Sequence, residues 1–453
     1  MSLPTLHQLT QALREGRTDP VSLLEEALSK SHLSENIWVT LLPELALEQA
    51  RASQLRWRNN QPLSPLDGIP IAWKDVFDIA GTVTTCGSQS RSQVPAARKN
   101  AELVERLQNL GMVSLGKTTM SELAYSGLGI NAYSGTPHNP YSKDHAHIPG
   151  GSSSGSAAAV AAGIVASSMG SDTSGSSRIP AACYGLVGYK PSSARYPKAG
   201  MFPLAPSLDT AGPIARNMAD IRLLDACLTG LQPSVNDTPC LPYRPSFVVP
   251  EGPFLAQVDQ AVRAVFEQLI NRLSAAGYTI ERRNFSPYTK TLALFKQHGT
   301  LVAIESVQVH QQLLNTPSLQ AQVDPRIISR LKRGLLISPA SAQQIRAQRP
   351  ELIASCHNAL AEHEILLYPT IPISVPTQAP LEADETVFAE CNATVLSHTM
   401  PSSYLDMPSL SLPAGFDRHG LPVGISLTMS NGQDLALLAA AQSLEPVITP
   451  LTN

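Results

Sequence analysis

The stretch Gly150-Gly-Ser-Ser-Ser-Gly-Ser-Ala-Ala-Ala-Val-Ala-Ala-Gly-Ile-Val-Ala-Ser-Ser-Met-Gly-Ser-Asp-Thr-Ser-Gly-Ser-Ser-Arg178 decides how this chain is read. Of the 26 residues from Gly150 to Gly175, 14 are glycine or serine. A chain so poor in bulk lets other elements approach closely and lets backbone N–H groups converge on one small space, which suits an oxyanion. The alanine-rich centre, Ser156 to Ser168, predicts a helix, with loops on both flanks. The second loop, Gly170-Ser-Asp-Thr-Ser-Gly-Ser-Ser-Arg, sets Ser176 beside several N–H donors of the kind that stabilise a tetrahedral acyl-transfer intermediate. Taken alone, such a loop is more often only a flexible or tightly packed turn.

Working outward, apolar residues recur at helical spacing from Ser22 to Arg58, with an interruption at Pro43, and predict two or three helices. The run Gly68-Ile-Pro-Ile-Ala-Trp-Lys predicts a strand ending at Lys74. A helix over Ala101 to Leu110, stopped by Gly111, and a short buried strand over Met112 to Leu115 continue an alternation that implies α/β layers. Residues 231–253 are rich in proline and polar side chains and read as an excursion within one fold, after which Ala256 to Ala276 resumes helical spacing. Core strands are expected from Ile365, from Ser409 and over Leu421 to Met429.

Composition narrows the function. A length of 453 residues with 43% hydrophobic content can bury a large core, and a net charge of -3 offers no basic surplus for a phosphate backbone, so direct nucleic-acid binding is not expected. The longest apolar run, Ala157 to Val165, is too short to cross a bilayer, and Met1 to Pro20 lacks the apolar core of a signal peptide; a cytoplasmic, membrane-free protein is expected. Six cysteines (Cys86, Cys183, Cys227, Cys240, Cys356 and Cys391) lie far apart without a C-x-x-C pair and read as free thiols. His145 and His147 have no H-E-x-x-H or Cys/His cluster around them, so no metal is assigned.

A serine nucleophile needs a proton acceptor. None of the histidines near the loops, His138, His145 and His147, stands in an arrangement that demands this role. The alternative is a lysine whose pKa falls by about three units, a shift of roughly 4 kcal/mol that requires burial. Lys74 closes an apolar run containing Ile69, Ile71 and Trp73, where burial is credible.

Together these fragments resemble the amidase signature family. The resemblance rests on Pro65-Leu-Asp-Gly-Ile-Pro-Ile-Ala-Trp-Lys-Asp, Gly116-Lys-Thr-Thr-Met-Ser-Glu, the two Gly/Ser loops, Gly188-Tyr-Lys-Pro-Ser and Ser207-Leu-Asp-Thr-Ala-Gly-Pro. It extends through Tyr368-Pro-Thr and the region from Leu412 to Gly424, covers nearly the whole chain, and is weakest over about 231–320. It implies an α/β fold with a large twisted mixed sheet covered by helices on both faces, one domain over 1–453, and a less typical region at about 231–345.

The resemblance further implies a Ser–cis-Ser–Lys triad of Ser176 as nucleophile, Ser152 as bridging serine and Lys74 as base. The N–H groups of Thr173, Ser174, Gly175 and Ser176 become the oxyanion hole, and Ser153, Asp172 and Arg178 support the loop. No metal or organic cofactor is implied. The substrate is a small amide, urea-like or carboxylated; the alternative is a glutamine-hydrolysing amidotransferase subunit with partner proteins, and a homodimer or small accessory subunit fits either. Two departures stand out: Ser174 occupies a position where many members carry glycine, and Ser177 one where isoleucine or valine is common. The substrate walls are expected around Met120 to Ile130, in 231–345 and over Asn392 to Tyr404. A phosphate-binding module is the rival from another class, but no G-K-[ST] follows the first loop.

Overall fold

The computed structural model describes residues 3–142, 146–231 and 243–449; His145 and Cys240 lie outside the described residues. Its strands are β1 (Trp38–Leu41), β2 (Pro70–Lys74), β3 (Val113–Thr118), β4 (Ser167–Asp172), β5 (Val187–Lys190), β6 (Thr210–Ala215), β7 (Ser246–Glu251), β8 (Ile280–Asn284), β9 (Glu364–Pro369), β10 (Ser409–Phe416) and β11 (Pro422–Thr428). They form one eleven-stranded mixed sheet in the order β1-β3-β2-β4-β6-β5-β10-β11-β9-β7-β8, flanked by helices. Neighbours run parallel in β3-β2-β4 and in β9-β7-β8, and antiparallel elsewhere. Every residue of β2, β3 and β4 is buried, as befits parallel strands covered on both faces. Because β2 and β4 are parallel, with Ala72 opposite Ser168 and Trp73 opposite Met169, their carboxyl ends lie side by side. Ligand sites in open α/β sheets gather at such ends.

The helix expected over Ser156–Ser168 is shorter and shifted, running Ser154–Ala161. Gly163 turns left-handed at φ 67° and closes it, and Ser167 and Ser168 instead enter β4, where Ser168 pairs with Ile214 of β6. Alanine content signalled the helix; tertiary pairing set its end. The small face has a purpose, since a Cβ on Gly155 would lie 2.7 Å from the carbonyl oxygens of both Ile37 and Thr119. The helical stretch before β2 divides into Pro20–His32 and Pro43–Arg58, each with proline in its first turn, around the short β1. Residues 246–251, inside the proline-rich excursion, form β7 and extend one wing of the sheet. Residues 286–359 are mainly helical, including Leu301–Val309, Pro325–Gly334 and Pro339–Ala359. Among the described residues, no helix is long and apolar enough to cross a membrane.

Candidate active site

Lys74 is the last residue of β2 and fully buried; its Nζ lies 2.6 Å from Ser152 Oγ and 2.8 Å from Ser171 Oγ. Burial, with no carboxylate hydrogen-bonded to its amine among the described residues, drives its pKa from 10.5 down to about 7, against the weaker upward pull of Asp172 and Asp209. Burial meanwhile pushes the Cys86 thiol up to about 12, so it stays neutral where the lysine titrates.

Ser152 follows a cis Gly151–Ser152 peptide bond. Its carbonyl accepts Ser121 N–H at 3.0 Å, and Gly151 N–H donates to the Gly127 carbonyl at 2.8 Å, so the serine loop is seated on the 121–129 segment. Ser153 N–H donates to the Ser176 carbonyl at 3.1 Å and joins the two Gly/Ser loops. Ser153 Oγ also donates to the Ser171 carbonyl and accepts Ser171 N–H, both at 3.2 Å. Lys74, Ser152, Ser153, Ser171 and Ser176 are thus gathered at the carboxyl ends of β2 and β4.

Asp172 ends β4 and shapes the Ser176 loop from inside. Its carboxylate accepts Gly175 N–H at 2.7 Å and Ser177 N–H at 3.2 Å, and takes a two-pronged bond from Arg178 at 2.9 and 3.0 Å. Burial opposes its charge, but Arg178 and the Gly175 N–H hold its carboxyl below the usual range. Arg178, fully buried, continues to Ser402 Oγ and Ser403 Oγ at 2.8 Å each. Thr399 Oγ1 donates to the Ser174 carbonyl. Gly175 has φ 128°, and a Cβ there would meet Thr399 Oγ1 at 2.2 Å, so no other residue fits.

Of the expected oxyanion donors, Gly175 N–H has an acceptor in the Asp172 carboxylate. Ser177 is accommodated because its hydroxyl donates to the Gly212 carbonyl at 3.1 Å, where isoleucine or valine could not. Sequence reasoning assigned no role to Ser171 or Asp209, and the Thr399–Ser403 segment, expected only as part of a substrate wall, also holds Arg178 and the Ser174 carbonyl. Ser171 offered only the alternation of β4, which turns it to the face opposite Asp172. The expected wall segments do meet: Asn392 Oδ1 accepts Gly127 N–H at 2.8 Å, and Glu122 Oε2 accepts Asp324 N–H at 2.8 Å. His147 hydrogen-bonds Ser142, and the described residues contain no cluster of three or more potential metal ligands.

Comparison with known proteins agrees with this architecture. The family model Amidase matches residues 22–438. Mandelamide hydrolase of Pseudomonas putida is 31% identical, over 98% of this chain and 91% of its own. A glutamyl-tRNA(Gln) amidotransferase subunit from Deinococcus radiodurans is 30% identical, over 98% and 97% respectively. The crystal structure of an amidase superposes with a TM-score of 0.86 at 30% identity, covering 98% of this chain and all of the other. With the match to its model spanning most of the sequence and the same fold around the gathered serines and lysine, the chain belongs to the amidase family of amide-hydrolysing enzymes.

Proposed function

We propose that the protein hydrolyses a small amide, with Ser176 as nucleophile, Ser152 as proton relay and Lys74 as base. The observation that carries this reading is the fully buried Lys74 amine in contact with two hydroxyls, where burial pushes its pKa down to about 7. In the neutral state it takes the Ser152 proton while Ser152 takes that of Ser176, whose Oγ attacks the amide carbon. The N–H groups of Thr173, Ser174 and Ser176 receive the negative oxygen. The proton passes back along the relay to the departing nitrogen, ammonia or an amine leaves, and water repeats the sequence to release the acid. The mandelamide-hydrolysing relative supports a small amide. The amidotransferase relative, similar to the same degree, supports glutamine hydrolysis with a partner as the second reading.

Ammonia release across primary amides, ureas and glutamine, with Ser176→Ala and Lys74→Ala alongside, separates these readings. Turnover of an amide other than glutamine, lost by about 10⁴-fold or more in both variants, is expected. Turnover of glutamine alone favours the second reading. Wild-type turnover in Ser176→Ala sinks both.

A further inference from the structure

We propose that Asp209 is a positioning residue for the anion-binding loop: its carboxylate anchors the Thr173 side chain and, besides Asp172, adds a negative charge that favours the protonated form of Lys74. The inference rests on the reading of Ser176 and Lys74 given above. Pairing of β4 with β6 ends at Asp172 opposite Thr210, so Thr173 and Asp209 are the first residues past the ladder on each strand. Their side chains continue it. Thr173 Oγ1 donates to Asp209 Oδ1 at 2.6 Å, and Thr210 Oγ1 donates to the Asp172 carbonyl at 2.9 Å, so the consecutive residues Asp209 and Thr210 hold the consecutive residues Thr173 and Asp172.

Asp209 is itself held. Its oxygens accept Leu204 N–H at 2.9 Å and Ala205 N–H at 3.1 Å, and the 204–209 turn is tied down where Ser207 donates from N–H and hydroxyl to Glu305 of the helix Leu301–Val309, at 2.9 and 2.6 Å. Asp209 is almost fully buried, and its oxygens meet the Thr173 hydroxyl and the N–H groups of Leu204 and Ala205. Burial raises the Asp209 carboxyl above its usual value, and the Thr173 hydroxyl with the Ala205 and Leu204 N–H groups pulls it back toward the ionised form. Without Asp209 the Thr173 peptide loses the anchor that aims its N–H, and Lys74 loses one of the charges that favour its protonated form. The charges acting on Lys74 are Asp172 at the end of β4 and Asp209 before β6; the nearby Cys86 thiol, on which the Asp75–Lys117 ion pair and Arg91 act, is neutral over the same range.

The test is the rate at which a fluorophosphonate phosphonylates Ser176, followed against pH in the full-length enzyme and its variants. In Asp209→Asn the rate should fall about tenfold or more at its alkaline plateau, since a displaced donor forfeits part of what a missing one does. Its acid limb should move below that of wild type, because removing a negative charge leaves Lys74 easier to deprotonate. Thr173→Val, which keeps charge and N–H but removes the anchor, should lose rate with the limb unmoved, and Thr173→Ser should restore it. An unmoved limb in Asp209→Asn, or a wild-type rate in Thr173→Val, overturns the proposal; the Thr173 pair decides alone if Asp209→Asn does not fold. Labelling that persists in Ser176→Ala instead refutes the underlying nucleophile assignment.

Discussion

Lys74 and Lys117 sit on adjacent parallel strands, one pairing step apart, with Trp73 opposite Lys117 and Lys74 opposite Thr118. Both are fully buried. Lys117 has a carboxylate for company, its Nζ 2.8 Å from Asp75 Oδ1, with further bonds to Thr84 Oγ1 at 2.8 Å and the Val83 carbonyl at 3.0 Å. Among the described residues, the Lys74 amine hydrogen-bonds to hydroxyls alone. An adjacent opposite charge offsets the cost of burying a cation; hydroxyls offset much less of it. The pair at Lys117 therefore ties β3 to the 83–87 turn, while the unpaired amine at Lys74 is free to give up its proton. Lys190 shows that burial is not enough. Buried at the end of β5, it is pushed to about 8, yet its Nζ donates to the Pro191 carbonyl at 2.7 Å, an oxygen with no proton to relay.

The largest effect should come from removing the unpaired amine. Lys74→Met should lower kcat/KM by about 10⁴-fold or more, with the wild-type profile rising through an ionisation near pH 7 because the base works only when neutral. Stability should move the other way. The folded-state pKa of Lys74 lies below the unfolded value, so the wild type carries the full burial penalty below about pH 7 and none above 10.5. Denaturant titrations should find Lys74→Met more stable at pH 6 by a few kcal/mol, an order-of-magnitude figure, with the advantage shrinking as pH rises between those limits. A constant difference across pH would show that Lys74 is not buried as a cation at all.

Breaking the other lysine's partner should affect stability first. Asp75→Asn leaves Lys117 charged, buried and without its counter-ion, which should cost about 3–5 kcal/mol in urea unfolding. Asp75→Asn combined with Lys117→Met should recover most of that loss, since removing both charges removes the desolvation problem too. If the double variant is as unstable as the single one, Asp75 acts mainly through its bonds to Thr85 and Gly87 rather than through charge.

What the sequence revealed, and what it hid, follows the same division. The apolar run before Lys74 made its burial readable, and the Gly/Ser content of 150–178 announced close backbone approach, because both properties are local. The hydroxyl shell of Lys74 is not local: Ser171 lies 97 residues away in sequence, and only the parallel placement of β4 beside β2 delivers it. The Arg178 clamp draws on Ser402 and Ser403, more than 220 residues distant, for which no spacing rule exists. The strand β7 stayed hidden because proline at 250 and the proline-rich flank argued for a loop, whereas the strand lies near one edge of the sheet and tolerates proline at its end.

Ser171 supplies the smallest of the expected effects and the one that defines the site's shape. A neutral amine has two N–H donors and one lone pair. For Lys74 to take the Ser152 proton, the lone pair must face Ser152, and the Ser171 oxygen, 2.8 Å from the same nitrogen, is placed to accept an N–H and fix that orientation. Ser171→Ala should therefore reduce kcat about tenfold even on the alkaline plateau where every Lys74 is neutral, and Ser171→Thr, which restores a hydroxyl, should recover it. A plateau equal to wild type, with losses confined to acidic pH, would mean that Ser171 adjusts the proton affinity of Lys74 and leaves its direction to the surrounding strand.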